Sequence, residues 1–191
     1  MLEKLPCVIL CGGKSSRMGS NKALLDFVSV PLVQYMHEKM QKYFREVYLV
    51  AKDDVPFRGF SYHFIQEQSQ IYAPLVGIQA SLERMERAFF LSVDTPFIGF
   101  KEIQALKEKA DNEQILYAKT PYRSHFLCGI YHRSILPIVK NMIKEGDFRL
   151  SHLIERSNSK FVEFDDDEAF SNLNTPQDYQ KALERMKKYG W

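Results

Sequence analysis

Apolar residues along this chain change their spacing repeatedly, and the changes divide its first half into short elements. From Leu5 to Cys11 they form a nearly unbroken run that stops at Gly12 and Gly13, the pattern of a strand buried on both faces that feeds a loop. Behind Pro31, which suits the first turn of a helix, Leu32 or Val33, Met36, Met40 and Phe44 recur at helical spacing. Glu46 to Ala51 and Tyr62 to Gln66 are short β-branched and aromatic runs, expected as strands. Leu75, Ile78, Leu82 and Met85 form a second helical stripe, and Ala88 to Val93 is a further strand-like run that ends at Asp94.

Strands that alternate with helices predict an α/β fold, a mostly parallel sheet flanked by helices, with ligands beyond the carboxyl ends of the strands. Gly12 and Asp94 both fall at such ends. The second half is less regular. Ile115 to Ala118, Phe126 to Tyr131 and Phe161 to Phe164 are strand candidates, and helices are expected near Ser134 to Ile143 and Arg149 to Glu155. Thr175 can cap a last helix that opens at Pro176 and carries Tyr179, Leu183 and Met186 as its apolar stripe. No repeat or linker interrupts the sequence, and Asp165 to Glu168 is expected as a solvated acidic turn. The 191 residues are expected to form one domain spanning 1–191.

Composition narrows the possible functions. With 45% hydrophobic and 26% charged residues the chain has globular proportions. Its 26 basic and 24 acidic side chains leave a net charge of +2, too little for a protein that binds nucleic acid by neutralising a row of phosphates. Any anion it binds is therefore held locally. Cys7, Cys11 and Cys128 show neither a CxxC pair nor zinc-ligand spacing, so they are expected as buried thiols. The apolar start follows acidic Glu3 and runs into glycines, unlike a signal peptide, and no run approaches membrane-spanning length. A reducing cytoplasmic location is the expectation, with neither nucleic acid nor membrane as partner.

The stretch Leu10-Cys11-Gly12-Gly13-Lys14-Ser15-Ser16-Arg17-Met18-Gly19-Ser20-Asn21-Lys22 carries the first chemical signal. A strand that enters glycines, hydroxyls and spaced cations is suited to polyphosphate. Glycines let backbone N–H groups converge on phosphate oxygens, and Arg17 and Lys22 can neutralise a triphosphate whose leaving group gains charge during reaction. The alternative is a glycine turn with exposed cations. A P-loop would need a glycine where Val8 stands, and the G-x-G-x-x-G spacing of a dinucleotide site is absent.

Leu10 to Leu25 resembles the L-x-G-G-x-S-x-R-M-G-x-x-K-x-L signature of molybdenum cofactor guanylyltransferases and their nucleotidyltransferase relatives. Ser92-Val93-Asp94-Thr95-Pro96-Phe97 is similar to that family's magnesium-binding C-D-T-P-F segment, and Asn172-Leu173-Asn174-Thr175-Pro176 to its N-x-N-T-P segment. Tyr72-Ala73-Pro74-Leu75-Val76-Gly77 resembles its G-P-L-x-G turn, with Ala73 in place of glycine. The resemblance implies a Rossmann-like fold of the nucleotide-diphospho-sugar-transferase kind, GTP and Mg2+ as ligands, and molybdopterin as acceptor. It also implies molybdenum-insertion or molybdoenzyme chaperone proteins as partners.

On these grounds Arg17, Lys22 and Asp94 are the expected catalytic residues, with Asp94 as the metal ligand. Magnesium often takes only one or two carboxylates plus substrate phosphates, so a lone aspartate at a strand end suffices; the competing role for Asp94 is a helix N-cap. The expected GTP-binding set is Leu10, Cys11, Gly12, Gly13, Ser15, Arg17, Lys22, Glu67 and Asp94. Leu10, Cys11 and Gly12 would act through backbone groups. Glu67 stands where the family carries a nucleotide-contacting aspartate, or it is a solvated loop acid; the region Leu49 to Lys52 offers no counterpart for a second family contact. Asn172 and Asn174 either contact the acceptor or nucleotide or cap the last helix, and Arg123 and His125 are further candidates for an anionic acceptor. Two other functions stay open: a cytidylyl or sugar-phosphate nucleotidyltransferase using the same loop, and a non-catalytic nucleotide-binding module.

Overall fold

The computed structural model describes residues 4–12, 22–53 and 59–189. The first strand, β1 (Cys7–Leu10), is buried throughout and pairs in parallel with β4 (Val47–Ala51) on one side and β6 (Arg87–Ser92) on the other. Beyond β4 lies β5 (His63–Gln66), also parallel. Beyond β6 comes β8 (Ser124–His132), which runs against β6, then β7 (Ile115–Lys119) and β9 (Ser159–Glu163). The seven strands of this sheet are ordered β5-β4-β1-β6-β8-β7-β9, and β8 alone among them opposes the rest. This is the mostly parallel sheet expected from the alternation.

Alternation along β1 explains the two layers packed on that sheet. Cys7, Ile9 and Cys11 enter one apolar cluster and Val8 and Leu10 the other, because successive side chains of a strand point to opposite faces. On the first face pack α1 (Leu32–Gln41), α3 (Phe100–Lys109) and α6 (Pro176–Tyr189), through Met36, Ile103 and Leu106, and Ala182 and Met186 respectively. On the second pack α2 (Pro74–Leu82), α4 (Leu136–Glu145) and α5 (Leu150–Glu155), through Leu75 and Ile78, Val139 and Met142, and Leu153. A short β2–β3 hairpin (Asp26–Phe27, Val30–Pro31) leads into α1. Pro31 precedes the helix as its cap and does not occupy the first turn.

The ends of the helices show how the sequence sets them. The Thr175 hydroxyl accepts from the Asp178 N–H at 3.1 Å, and the Asp178 carboxylate accepts from the Thr175 and Asn174 N–H groups at 2.9 and 3.2 Å, a reciprocal cap on α6. At the end of α4, Gly146 takes φ 72°, the left-handed conformation that stops a helix. Helix α3 has no counterpart among the elements expected from sequence. Its cap is Gly99, which carries no side-chain signal, and its buried stripe is only Ile103 and Leu106 among lysines and glutamates.

Candidate nucleotidyl-transfer site

The strand order reverses at β1: β4 and β5 lie on one side and β6 on the other. In such sheets the crevice beyond the carboxyl ends at that point receives ligands. Gly12 follows β1 and Asp94 follows β6, so the two residues read from sequence as site markers flank that crevice.

Asp94 sits in a turn that follows β6, well before the first residue of α3, so it caps no helix. Its carboxylate is fixed from three directions. The Ser92 hydroxyl donates to Oδ1 at 2.6 Å, the Asn172 amide lies 3.5 Å from the same oxygen, and the Lys22 ammonium is 3.3 Å from Oδ2. Lys22 also donates to Asn174 Oδ1 at 2.8 Å. The Leu173 N–H donates to the Asp94 carbonyl at 2.8 Å, which ties the C-terminal segment across the end of β6. Residues near 22, 94 and 172–174 are thus brought to one point. Since Thr175 and Asp178 cap α6, the two asparagine side chains are left for this cluster.

Glu67 is buried, not a solvated loop acid. Its carboxylate faces two glycines: a Cβ on Gly12 would lie 3.0 Å from Oε1, and one on Gly77 would lie 3.1 Å from it and 2.7 Å from Leu10 Cδ2. Glycine at both positions therefore gives this acid its space beside Leu10 and Gly12. Burial raises the Glu67 pKa above the ordinary carboxylate range, opposed by Lys52, whose ammonium is 3.6 Å from Oε2. Lys52 also donates to the Ser69 and Ile71 carbonyls and lies over the Tyr72 ring at 4.5 Å. It pins the 67–72 segment beside the crevice, a role invisible in the sequence around Leu49 to Lys52.

Leu10 and Cys11 are buried, and the Cys11 N–H donates to the Val50 carbonyl at 2.9 Å, extending the ladder to the edge of the crevice. Burial pushes all three thiols, Cys7, Cys11 and Cys128, far above the ordinary range, so they are inert, as expected. Gly13, Ser15 and Arg17 lie outside the described residues.

Two further groups were missed from sequence. Lys39 stands in the apolar stripe of α1 between Met36 and Met40 and is buried. Its ammonium donates to the Pro96 carbonyl at 2.7 Å, bracing the turn that holds Asp94, and burial lowers its pKa to about 8. A lysine on the buried face of a helix was the available signal. Asp167, expected in a solvated turn, instead accepts from Arg123 Nε at 2.7 Å, from His125 Nε2 at 2.8 Å and from the Thr120 hydroxyl. Burial lowers the His125 pKa more than Asp167 raises it, so the ring is neutral at neutral pH and donates through Nε2.

Among the described residues no group of three His, Cys, Asp or Glu side chains forms a metal cage. The Asp94 carboxylate nevertheless fits a divalent metal shared with phosphates: it is a hard oxygen donor, held in place by Ser92, and already faces a cation at 3.3 Å.

Comparison with known proteins agrees with this geometry. Residues 7–161 match the family described as MobA-like NTP transferase domain. The chain is 38% identical to a molybdenum cofactor guanylyltransferase of Campylobacter jejuni, over 97% of this chain and 99% of that one. It is 33% identical to the enzyme of that name from Helicobacter pylori, over 98% and 92%. Among solved structures, the molybdopterin-guanine dinucleotide biosynthesis protein A of Archaeoglobus fulgidus superposes with a TM-score of 0.84, at 24% identity over 96% of this chain and all of that one.

Proposed function

This chain belongs to the MobA-like NTP transferase domain family and is a nucleotidyltransferase, and from that premise we propose that it transfers the GMP part of GTP to molybdopterin. The products are molybdopterin guanine dinucleotide and pyrophosphate. The observation that carries the reading is the meeting of Lys22, Asp94, Asn172 and Asn174 at the strand-order reversal. The name molybdenum cofactor guanylyltransferase carried by the C. jejuni and H. pylori relatives supports a guanylyl donor and a molybdenum-cofactor acceptor.

In the transfer, an oxygen of the acceptor phosphate bonds to the α-phosphorus of GTP, and the bond from that phosphorus to the bridging oxygen of the β-phosphate breaks. The pair of electrons leaves with pyrophosphate, whose growing charge must be neutralised. Lys22 is placed to do this, and Arg17 is assigned the same task from its position in the loop. The backbone of Leu10, Cys11, Gly12 and Gly13 and the Ser15 hydroxyl hold the nucleotide, with Glu67 beside Gly12 as an acceptor for base or ribose donors. Asn172 and Asn174 orient the acceptor phosphate. A phosphate is already anionic, so no general base is required, and catalysis consists of positioning and charge neutralisation.

Asp94, with its carboxylate held by Ser92, would hold Mg2+, which when bound would supply Lewis-acid stabilisation of phosphate charge. With GTP and molybdopterin as substrates, partners that insert molybdenum or chaperone the finished cofactor belong to the same reading, as does a cytoplasmic location. Among the described residues no helix is long and apolar enough to cross a membrane.

The test is thermal stabilisation by GTP, CTP, ATP and UTP, each with and without Mg2+, since a ligand of the native state raises its stability. A guanylyltransferase gives a magnesium-dependent shift that is largest with GTP. A larger shift with CTP would transfer the reading to a cytidylyltransferase, and no shift with any nucleotide would remove its basis.

A further inference from the structure

Between the end of β6 and the start of α3, residues 93–99 form neither helix nor strand, yet every one of them is buried. A buried loop has backbone groups that water cannot reach, so they need partners from the protein. Inside the turn, the Thr95 N–H and hydroxyl both donate to the Ser92 carbonyl, at 3.3 and 2.7 Å. Toward the sheet and the C-terminal segment, the Val93 N–H donates to the Leu10 carbonyl at 3.2 Å and the Asp94 carbonyl accepts from the Leu173 N–H at 2.8 Å. The Pro96 carbonyl, two residues after Asp94, accepts instead from a side chain, the Lys39 ammonium at 2.7 Å.

A lysine is an unfavourable donor at this place. It stands in the stripe of α1 between Met36 and Met40, both fully buried, and only 6% of it is exposed. Moving an ammonium from water into such a layer is opposed by desolvation, which a methionine or leucine filling the same space would not suffer. What the ammonium adds is a bond to the turn of Asp94. A second cation backs that turn: Arg185 of α6 lies over the Phe97 ring at 4.2 Å and donates to the Glu168 carbonyl at 2.9 Å. The turn is thus held from the layer of α1 and α6, while the Asp94 carboxylate meets Ser92, Asn172 and Lys22.

We propose that Lys39 is a positioning residue for the transfer: through the Pro96 carbonyl it fixes the turn so that the Asp94 carboxylate is set for a divalent metal. Lys39 itself touches neither metal nor substrate. This role rests on Asp94 being the metal ligand of a nucleotidyltransferase. Without the ammonium, the Pro96 carbonyl is left buried and unpaired, and the turn shifts to regain a partner. Asp94, two residues away, moves with it. Metal affinity falls, whereas the nucleotide flank around Gly12, Glu67 and Gly77 keeps its own contacts.

The test compares Lys39→Met with Lys107→Met in the full chain. Lys107 of α3 is a matched control: half-buried in the same layer, it donates to the Tyr43 carbonyl at 3.1 Å and lies over the Phe44 ring at 3.9 Å. The melting shift given by GTP is measured in EDTA and then across a titration with Mg2+. Lys39→Met should raise the Mg2+ concentration for half of the metal-dependent shift by about tenfold, the low end for losing a group that orients a metal ligand, with the shift in EDTA unchanged. Lys107→Met should leave both unchanged, whatever it does to the melting temperature itself. Lys39→Gln keeps an amide donor and should give a smaller rise; it also serves if the methionine variant does not fold. An unchanged half-saturating Mg2+ in the Lys39 variants, or an equal rise in Lys107→Met, would overturn the role and leave the guanylyltransferase reading standing. No Mg2+-dependent shift in the unmodified protein would overturn both.

Discussion

Replacing Asp94 by asparagine separates the chemistry of this carboxylate from its contribution to the fold. The substitution keeps shape and leaves an amide oxygen to accept from Ser92, now 2.6 Å away, but removes the charge that faces Lys22 at 3.3 Å. At that distance the Coulomb attraction is about 5 kcal/mol at an effective dielectric constant of ~20. Most of it is offset, because both side chains keep some solvent contact, 18% for Lys22 and 13% for Asp94, and are desolvated to form the pair. Lys22 also retains Asn174 at 2.8 Å. A net loss of ~1 kcal/mol, or a fall of about 2–4 °C in melting temperature, is expected. Loss of an electrostatic contact to the reacting phosphates costs far more, roughly 3–4 kcal/mol, which is a 10²–10³-fold drop in kcat. The assay is pyrophosphate release at saturating GTP, Mg2+ and molybdopterin, alongside a melting curve. Turnover within tenfold of the unmodified enzyme would refute the role of Asp94, and a melting fall above about 10 °C would show that the residue is chiefly structural.

Burial raises the Glu67 pKa, so its ionisation opposes folding once pH passes the ordinary value of 4.5; Glu67→Gln should raise the melting temperature at pH 7, lose that advantage at pH 4, and weaken GTP binding. A less stable Gln variant at pH 7 would contradict this. Gly77→Ala gains ~1 kcal/mol of helix propensity but places a Cβ 2.7 Å from Leu10 Cδ2, an overpacking cost of about 1–3 kcal/mol. The expected result is neutral to moderate destabilisation with a smaller GTP-induced melting shift, against which an unchanged shift would count. Lys39 has its pKa lowered to about 8 from 10.5, so above pH 8 the folded state sheds a proton that the unfolded chain keeps, and stability rises. The melting difference between the unmodified protein and Lys39→Met should therefore move in favour of the former between pH 8 and 10.5; a constant difference would mean that the amine is not desolvated.

The parts of the fold legible in the sequence are those whose pattern answers to a single constraint. β1 is buried on both faces and reads as a nearly continuous apolar run, and β6 likewise, so the positions of Gly12 and Asp94 at strand ends followed directly. Lys22 and Asp94 were legible as types of residue that phosphate and metal chemistry need, although not as a pair. They lie 72 residues apart and meet only in the fold, and the return of the C-terminal segment that brings the asparagines to them rests on a bond from Leu173 to Asp94 that no local pattern encodes. Asn174 illustrates the same limit. Asparagine and threonine both cap helices well, and only the reciprocal bonds of Thr175 and Asp178 leave Asn174 for Lys22. Asp167 looked like a surface acid, and Glu67 was left between a nucleotide contact and a solvated loop acid, because burial of a carboxylate is decided by distant partners, Arg123 and His125 in the first case and the glycines at 12 and 77 in the second.

Incubating the purified protein with molybdopterin, Mg2+ and GTP labelled at the α-phosphate, and following the label and pyrophosphate together, tests the guanylyltransferase assignment. The expected result is one labelled dinucleotide for each pyrophosphate released, strict dependence on Mg2+, and little product with labelled CTP. Pyrophosphate or label that fails to appear with GTP, or an equal yield with CTP, would contradict it.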